Sequence, residues 1–234
     1  MKTLILSFLI FFFPFEFKKI TFPSKDGLLI TADVYESGND KNPWILMCHQ
    51  AGFSRGEYTE AGSVLKTKGF NCMAIDQRSG KSVNGVLNET AKRAKEKNLP
   101  TDYSDAEKDI LAGIDYLYDK YKQPVILLGS SYSASFVLKI ANGNQKVSKV
   151  IAFSPGEYIK GISFADAIKG LSKPVFVTSA RAEAESVKEL VKGVDQKKLV
   201  QFIPIHDGDH GSKVLWEKNQ NFREYWGMLL KFLE

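Results

Sequence analysis

Apolar residues along this chain fall into short unbroken runs, separated by stretches in which apolar positions recur every three or four residues. The runs at 43–50 (PWILMCHQ), 70–76 (FNCMAID), 124–129 (PVILLG), 147–154 (VSKVIAFS), 173–179 (KPVFVTS) and 198–205 (KLVQFIPI) have the length and composition of strands buried on both faces. Between them the helical period predicts helices over 57–68, closed by Gly69, and over 132–141, 183–191 and 212–233. A further helix runs to Tyr121 with Ile110, Ile114, Leu117 and Tyr121 on one stripe, and Ser104 with Glu107 reads as its capping box. Near the start, two runs flank Asp26-Gly27, a hairpin signal. Residues 77–102 read as a polar surface excursion with a short helix over 89–97, and 164–168 as part of a short connector.

Strands alternating with helices predict one domain built on a mostly parallel sheet of about eight strands, covered by helices on both faces and entered through an antiparallel hairpin. Composition agrees with a globular chain: of 234 residues, 44% are hydrophobic and 25% charged. The net charge of +5 is spread along the sequence, with no basic and aromatic stripe of the kind that binds nucleic acid. Residues 1–15 differ from the rest. A single lysine precedes an apolar run from Leu4 to Phe13, which predicts the core of a secretory signal peptide and an exported, periplasmic or secreted protein. An early start to the first strand, in a cytoplasmic protein, is the alternative. That segment is also the one predicted point of membrane contact. Cys48 and Cys72 fall at opposite ends of neighbouring strands, too far apart for a disulfide, and lack metal or redox spacing.

Chemistry enters at "GSSYSAS". Ser131 is the centre of a G-x-S-x-S pentapeptide at the junction of a strand and a helix. A nucleophile on so sharp a turn needs small residues two before and two after it, here Gly129 and Ser133. The turn leaves the Tyr132 N–H at a helix start, free to face an oxyanion, and Ser130 points away from the apex. A serine hydroxyl needs a base, and the chain has three histidines. His49 ends a strand, as does His206, for which packing or hydrogen bonding is expected. His210, among glycines and aspartates before the terminal helix, can reach back over the sheet. The acid that orients it is sought after the penultimate strand, where "ARAEAES" offers Glu183 and Glu185, and Glu183 is preferred; Glu157 in "SPGEY" is the rival. Glu57 reads as a first-turn helix residue, with substrate contact at a pocket mouth as its other role. Tyr132 and Tyr158 are candidates to line an acyl pocket.

The order Ser131, Glu183, His210, with "CHQAG", "AIDQRSGKS", "GSSYSA" and "GDHGS" in their places, resembles the α/β-hydrolases, in particular the dienelactone-hydrolase and small-esterase branch. The resemblance implies the α/β-hydrolase fold across 16–234 and a second oxyanion N–H from the turn at 49–52, on Ala51 or Gln50. It implies a bracing role for Asp76 and Arg78 in the D-x-R-x-G turn. It further implies a serine hydrolase acting on small or soluble carboxylic esters through an acyl-enzyme, with no metal and no organic cofactor. A serine peptidase or amidase of prolyl-oligopeptidase type shares this order of residues, and a non-catalytic binding protein on the same fold is the other alternative. The connector after Ser154 holds fewer than about twenty residues, too few for a large lid.

Overall fold

A computed structural model describes residues 17–234. The signal-peptide reading of 1–15 lies outside the described residues. Strands β1 (Lys18–Pro23) and β2 (Leu29–Tyr35) form the expected hairpin, with Gly27 at a φ of 78° in the turn. Then follow β3 (Trp44–Cys48), α1 (Thr59–Thr67), β4 (Asn71–Ile75), the two-residue strands β5 (Ser82–Val83) and β6 (Val86–Leu87), α2 (Glu89–Glu96) and α3 (Glu107–Tyr121). The second half alternates regularly: β7 (Val125–Ser130), α4 (Tyr132–Ala141), β8 (Val147–Phe153), α5 (Phe164–Ala167), β9 (Val175–Thr178), α6 (Ala184–Leu190), β10 (Leu199–Phe202) and α7 (Phe222–Leu233).

Eight strands make the main sheet, in the order β1-β2-β4-β3-β7-β8-β9-β10. β2 runs antiparallel to both β1 and β4, and all other pairs are parallel. Alternate side chains on each strand enter opposite cores. Leu46 and Cys48 pack with α3 and α4, whereas Ile45 and Met47 pack with α1 and α7. Cys48 and Cys72 therefore lie in different cores, each buried and free. From β3 the chain crosses to β4 on one side, and from β7 to β8 on the other. The order thus reverses between β3 and β7, and the carboxyl ends of those strands border the crevice where α/β folds bind ligands.

Three expectations need correction. Ser104 and Glu107 form no capping box, because a 3₁₀ turn over Tyr103–Ala106 delays α3 and places Glu107 at its first position; its carboxylate instead meets Lys139. The segment 77–102 holds the small β5–β6 hairpin, turned at Asn84-Gly85 with both φ values positive. The final helix is not continuous from 212. A 3₁₀ turn over Ser212–Leu215 is followed by turns, with the Asn221 N–H taken by the Asn219 side chain before α7 begins.

Candidate active site

β7 ends in the motif "GSSYSAS", and its geometry follows from the residues around the apex. Ser131 has a φ of 57° and ψ of −125°, a strained conformation for a residue with a Cβ. The turn is held by the Ser131 N–H donating to Phe153 O at 2.8 Å. A Cβ on Gly129 would come within 2.6–2.7 Å of the backbone of Ser133 and Ala134, so only glycine fits there. Ser133 is more than a small filler. Its hydroxyl lies within 2.7–2.9 Å of the Cys48, His49 and Ser130 carbonyls and accepts from the Ser130 N–H, binding the apex to the end of β3.

His210 and Glu183 arrive from loops after β10 and β9. Ser131 Oγ lies 2.7 Å from His210 Nε2, and His210 Nδ1 lies 2.5 Å from Glu183 Oε1. A carboxylate only accepts, so the ring proton sits on Nδ1 and Nε2 is free to accept the serine proton. Burial opposes the charge on Glu183, but hydrogen bonds from His210 and Ser154 outweigh it and hold the carboxyl below its ordinary pKa. The other acids are elsewhere. Glu185 is an exposed residue beside Lys188, and Glu157 accepts from the Phe164 and Ala165 N–H groups at the start of α5.

Ser154, which the sequence did not single out, is part of this arrangement. Its hydroxyl donates to Glu183 Oε2 at 2.6 Å and accepts from the Gly211 N–H at 2.9 Å, joining the acid to the histidine loop. It has a φ of 53°. The available signal was its place, directly after an apolar strand and before Pro155-Gly156, matching Ser131 after β7.

In the turn after β3 the Gln50 and Ala51 N–H groups differ in their partners. The Gln50 N–H donates to Glu57 Oε2 at 2.7 Å, while the Ala51 N–H has no partner among the described residues. The Tyr132 N–H, at the first position of α4, is likewise unpartnered among them. His49 is fully buried, and burial lowers its pKa to about 4; it donates to Gln50 O and accepts from the Gln77 N–H, a neutral strut. His206 lies on an exposed stretch beside Arg181 and Asp207 and does not join Ser131.

The remaining candidates divide as follows. Arg78 is wholly buried and pairs with Asp109 and Asp26, and Asp76 accepts from Arg55 and the Glu89 N–H, so both brace loops below the crevice. Glu57 is neither at a pocket mouth nor in α1. It lies buried in a 3₁₀ turn over Arg55–Tyr58, because Ser54 caps that turn ahead of the helix. The Tyr132 side chain is buried, its hydroxyl accepting from Gln77, and lines no open surface. Tyr158 is exposed, with its ring edge-on to His210 at 6.2 Å and its hydroxyl donating to Ser154 O.

Solved structures share this architecture. The chain superposes on an esterase of Pyrococcus furiosus with a TM-score of 0.72, at 19% identity over 93% of this chain and 91% of that one. The chain has the α/β-hydrolase fold. A dienelactone hydrolase from Anabaena variabilis gives 0.70 at 14% identity, covering 93% of this chain and 96% of its own. An acylaminoacyl peptidase of Pyrococcus horikoshii gives 0.64 at 14%, where 93% of this chain matches 41% of that one. No family model matches the sequence, and no curated protein sequence matches it.

Proposed function

We propose that the protein is a serine hydrolase that cleaves small or soluble carboxylic esters through an acyl-enzyme. One observation carries the reading: the continuous hydrogen-bonded chain Ser131–His210–Glu183, beside two unpartnered N–H groups at Ala51 and Tyr132. In this reading Ser131 Oγ attacks the ester carbonyl as His210 Nε2 takes its proton, and Glu183 stabilises the imidazolium. The carbonyl oxygen gains charge and is held by the Ala51 and Tyr132 N–H groups. His210 returns the proton to the leaving alkoxide, and water then repeats the sequence in reverse roles to release the acid.

Two modest recesses lie beside the loops that carry these residues, although Ser131 and His210 line neither. On the Glu183 side lies an open, largely apolar recess of about 520 Å³, walled by Tyr158, Ala165 and Leu190. Beside Gly52 and Tyr103 lies a smaller one of about 210 Å³. Between β8 and β9 the one helix is the four-residue α5, so no large lid covers the site from there. No helix among the described residues is long and apolar enough to cross a membrane. Export through the N-terminal apolar segment belongs to the same proposal and is tested by fractionating cells that express the full chain.

The function is tested with a fluorophosphonate probe and a panel of p-nitrophenyl esters set against aminoacyl anilides. The expected result is labelling that Ser131→Ala abolishes, with turnover falling as acyl chains lengthen. Equal labelling of the Ser131→Ala variant removes Ser131 as nucleophile. Anilide turnover above ester turnover would favour a peptidase, the second reading, which the similarity in fold to the acylaminoacyl peptidase supports.

A further inference from the structure

Glu57 is a carboxylic acid with 1% exposure, and its two oxygens are divided between loops that belong to different parts of the site. Oε2 accepts from the Gln50 N–H at 2.7 Å, on the turn after β3. Oε1 accepts from the Ser212 hydroxyl at 2.6 Å, two residues beyond His210. The Ser130 hydroxyl, on the nucleophile turn, accepts from the Ser212 N–H at 2.8 Å and so ties that turn to the residue whose hydroxyl Glu57 holds. The main chain adds a further tie, since Trp216 Nε1 donates to Glu57 O at 2.7 Å.

We propose that Glu57 is a positioning residue, whose single carboxylate sets the Ala51 N–H, the Ser131 apex and the His210 loop at their working separations. The proposal rests on the serine-hydrolase reading. Three considerations carry it. First, the Gln50 N–H that Glu57 holds lies in the peptide next to the one that presents the Ala51 N–H, and that second peptide is held in turn by His49 Nδ1 donating to Gln50 O at 2.8 Å. Second, the two donors come from loops remote in sequence, the turn after β3 and the histidine loop, and no backbone ladder joins those loops among the described residues. Third, a buried carboxylate is an expensive way to fill space. Burial pushes the Glu57 pKa up to about 7, even though hydrogen bonds from Ser212 and Gln50 and the nearby Ser130 hydroxyl and His210 ring oppose that rise. An apolar side chain would avoid that penalty but could not hold both donors at once.

The side chain touches no substrate. It acts through distance: displacing an oxyanion donor or a base by about 1 Å can cost on the order of 10²-fold in rate. When His210 becomes cationic during attack, the nearby Glu57 carboxylate also adds to the attraction that Glu183 supplies directly.

The test uses the full chain, p-nitrophenyl acetate and a fluorophosphonate. Glu57→Gln keeps the size and the acceptor for the Gln50 N–H but loses the charge and the second acceptor; Glu57→Ala loses both contacts. Glu57→Gln is expected to lower kcat about tenfold with KM within about twofold of wild type. It should slow fluorophosphonate inactivation in parallel, while melting no lower than wild type. Glu57→Ala should lose more. A kcat within about twofold of wild type in Glu57→Gln would overturn the positioning role. So would a kcat loss accounted for by a lower folded fraction at the assay temperature. In either case the Ser131→Ala result would leave the serine-hydrolase reading standing. A wild-type protein that neither labels nor turns over any ester would instead overturn that reading, and the role of Glu57 in it.

Discussion

At the scale of single residues, strain and hydrogen bonding meet at Ser131, Ser154 and Glu183. Ser131 and Ser154 both take positive φ at the ends of neighbouring strands, and both hydroxyls point into the group formed by His210 and Glu183. Removing the acid should separate the three candidates sharply. Glu183→Gln is expected to lower kcat by on the order of 10²–10⁴-fold, because the amide no longer fixes the ring tautomer or stabilises the imidazolium. Glu185→Gln should leave kcat unchanged, and Glu157→Gln should weaken the start of α5 and lower the melting temperature without a matching change in kcat. Steady-state kinetics on one ester checks all three. Glu57 gives a prediction for stability. Its pKa rises on folding from the ordinary carboxylate value to about 7, so the folded state binds more protons than the unfolded one between about pH 4.5 and 7. Its contribution to stability is therefore fullest at acid pH and declines as pH rises through that window. Glu57→Gln removes the dependence and should melt higher than wild type at pH 8, by on the order of 5 °C, with the gap closing towards pH 5. Thermal melts across pH measure it.

At the scale of elements, the turns decide the geometry more than the strands and helices do. The β7–α4 junction closes because Gly129 has no side chain and Ser133 ties back to the end of β3. Gly129→Ala should destabilise the fold by about 2 kcal/mol or more, since the new methyl would meet backbone that cannot swing aside. The midpoint of urea unfolding tests this. The long elements were legible because their patterns are periodic: α4 spans Tyr132–Ala141 as expected, and α3 buries Ile110, Ile114 and Leu117. Element ends were less legible, because local signals compete there. The Ser104 and Glu107 pattern yielded to a 3₁₀ turn, and the Asn84-Gly85 signal marked a hairpin too short to show strand periodicity.

For the whole molecule, buried charge ties distant segments together below the crevice. Arg78, after β4, bridges Asp26 in the first hairpin turn and Asp109 in α3, with nitrogen–oxygen distances of 2.6 and 2.7 Å. Replacing one partner leaves the other charged and buried, so Arg78→Met should cost about 3–5 kcal/mol. The double variant Arg78→Met with Asp109→Leu should recover part of that loss. Denaturant unfolding of the two variants distinguishes a mutual pairing from simple packing.

The sequence by itself determined an α/β class with a mostly parallel sheet, the hairpin entry and the order in which the candidate residues appear. Those depend on local periodicity, on turn chemistry and on small residues flanking Ser131, all of which are written in neighbouring positions. It narrowed the base to His210 because only three histidines exist, but it left Glu183, Glu185 and Glu157 open, as it did Ala51 and Gln50. What separates them is tertiary structure. Which glutamate meets His210 depends on how the loops after β9 and β10 turn, and only Glu183 comes within hydrogen-bonding distance. Of Gln50 and Ala51, it is the Gln50 N–H that Glu57 occupies. The contributions of Ser154, Ser212 and Glu57 were illegible for the same physical reason: each joins segments far apart in the chain, and periodicity and local turn signals record nothing about such pairs.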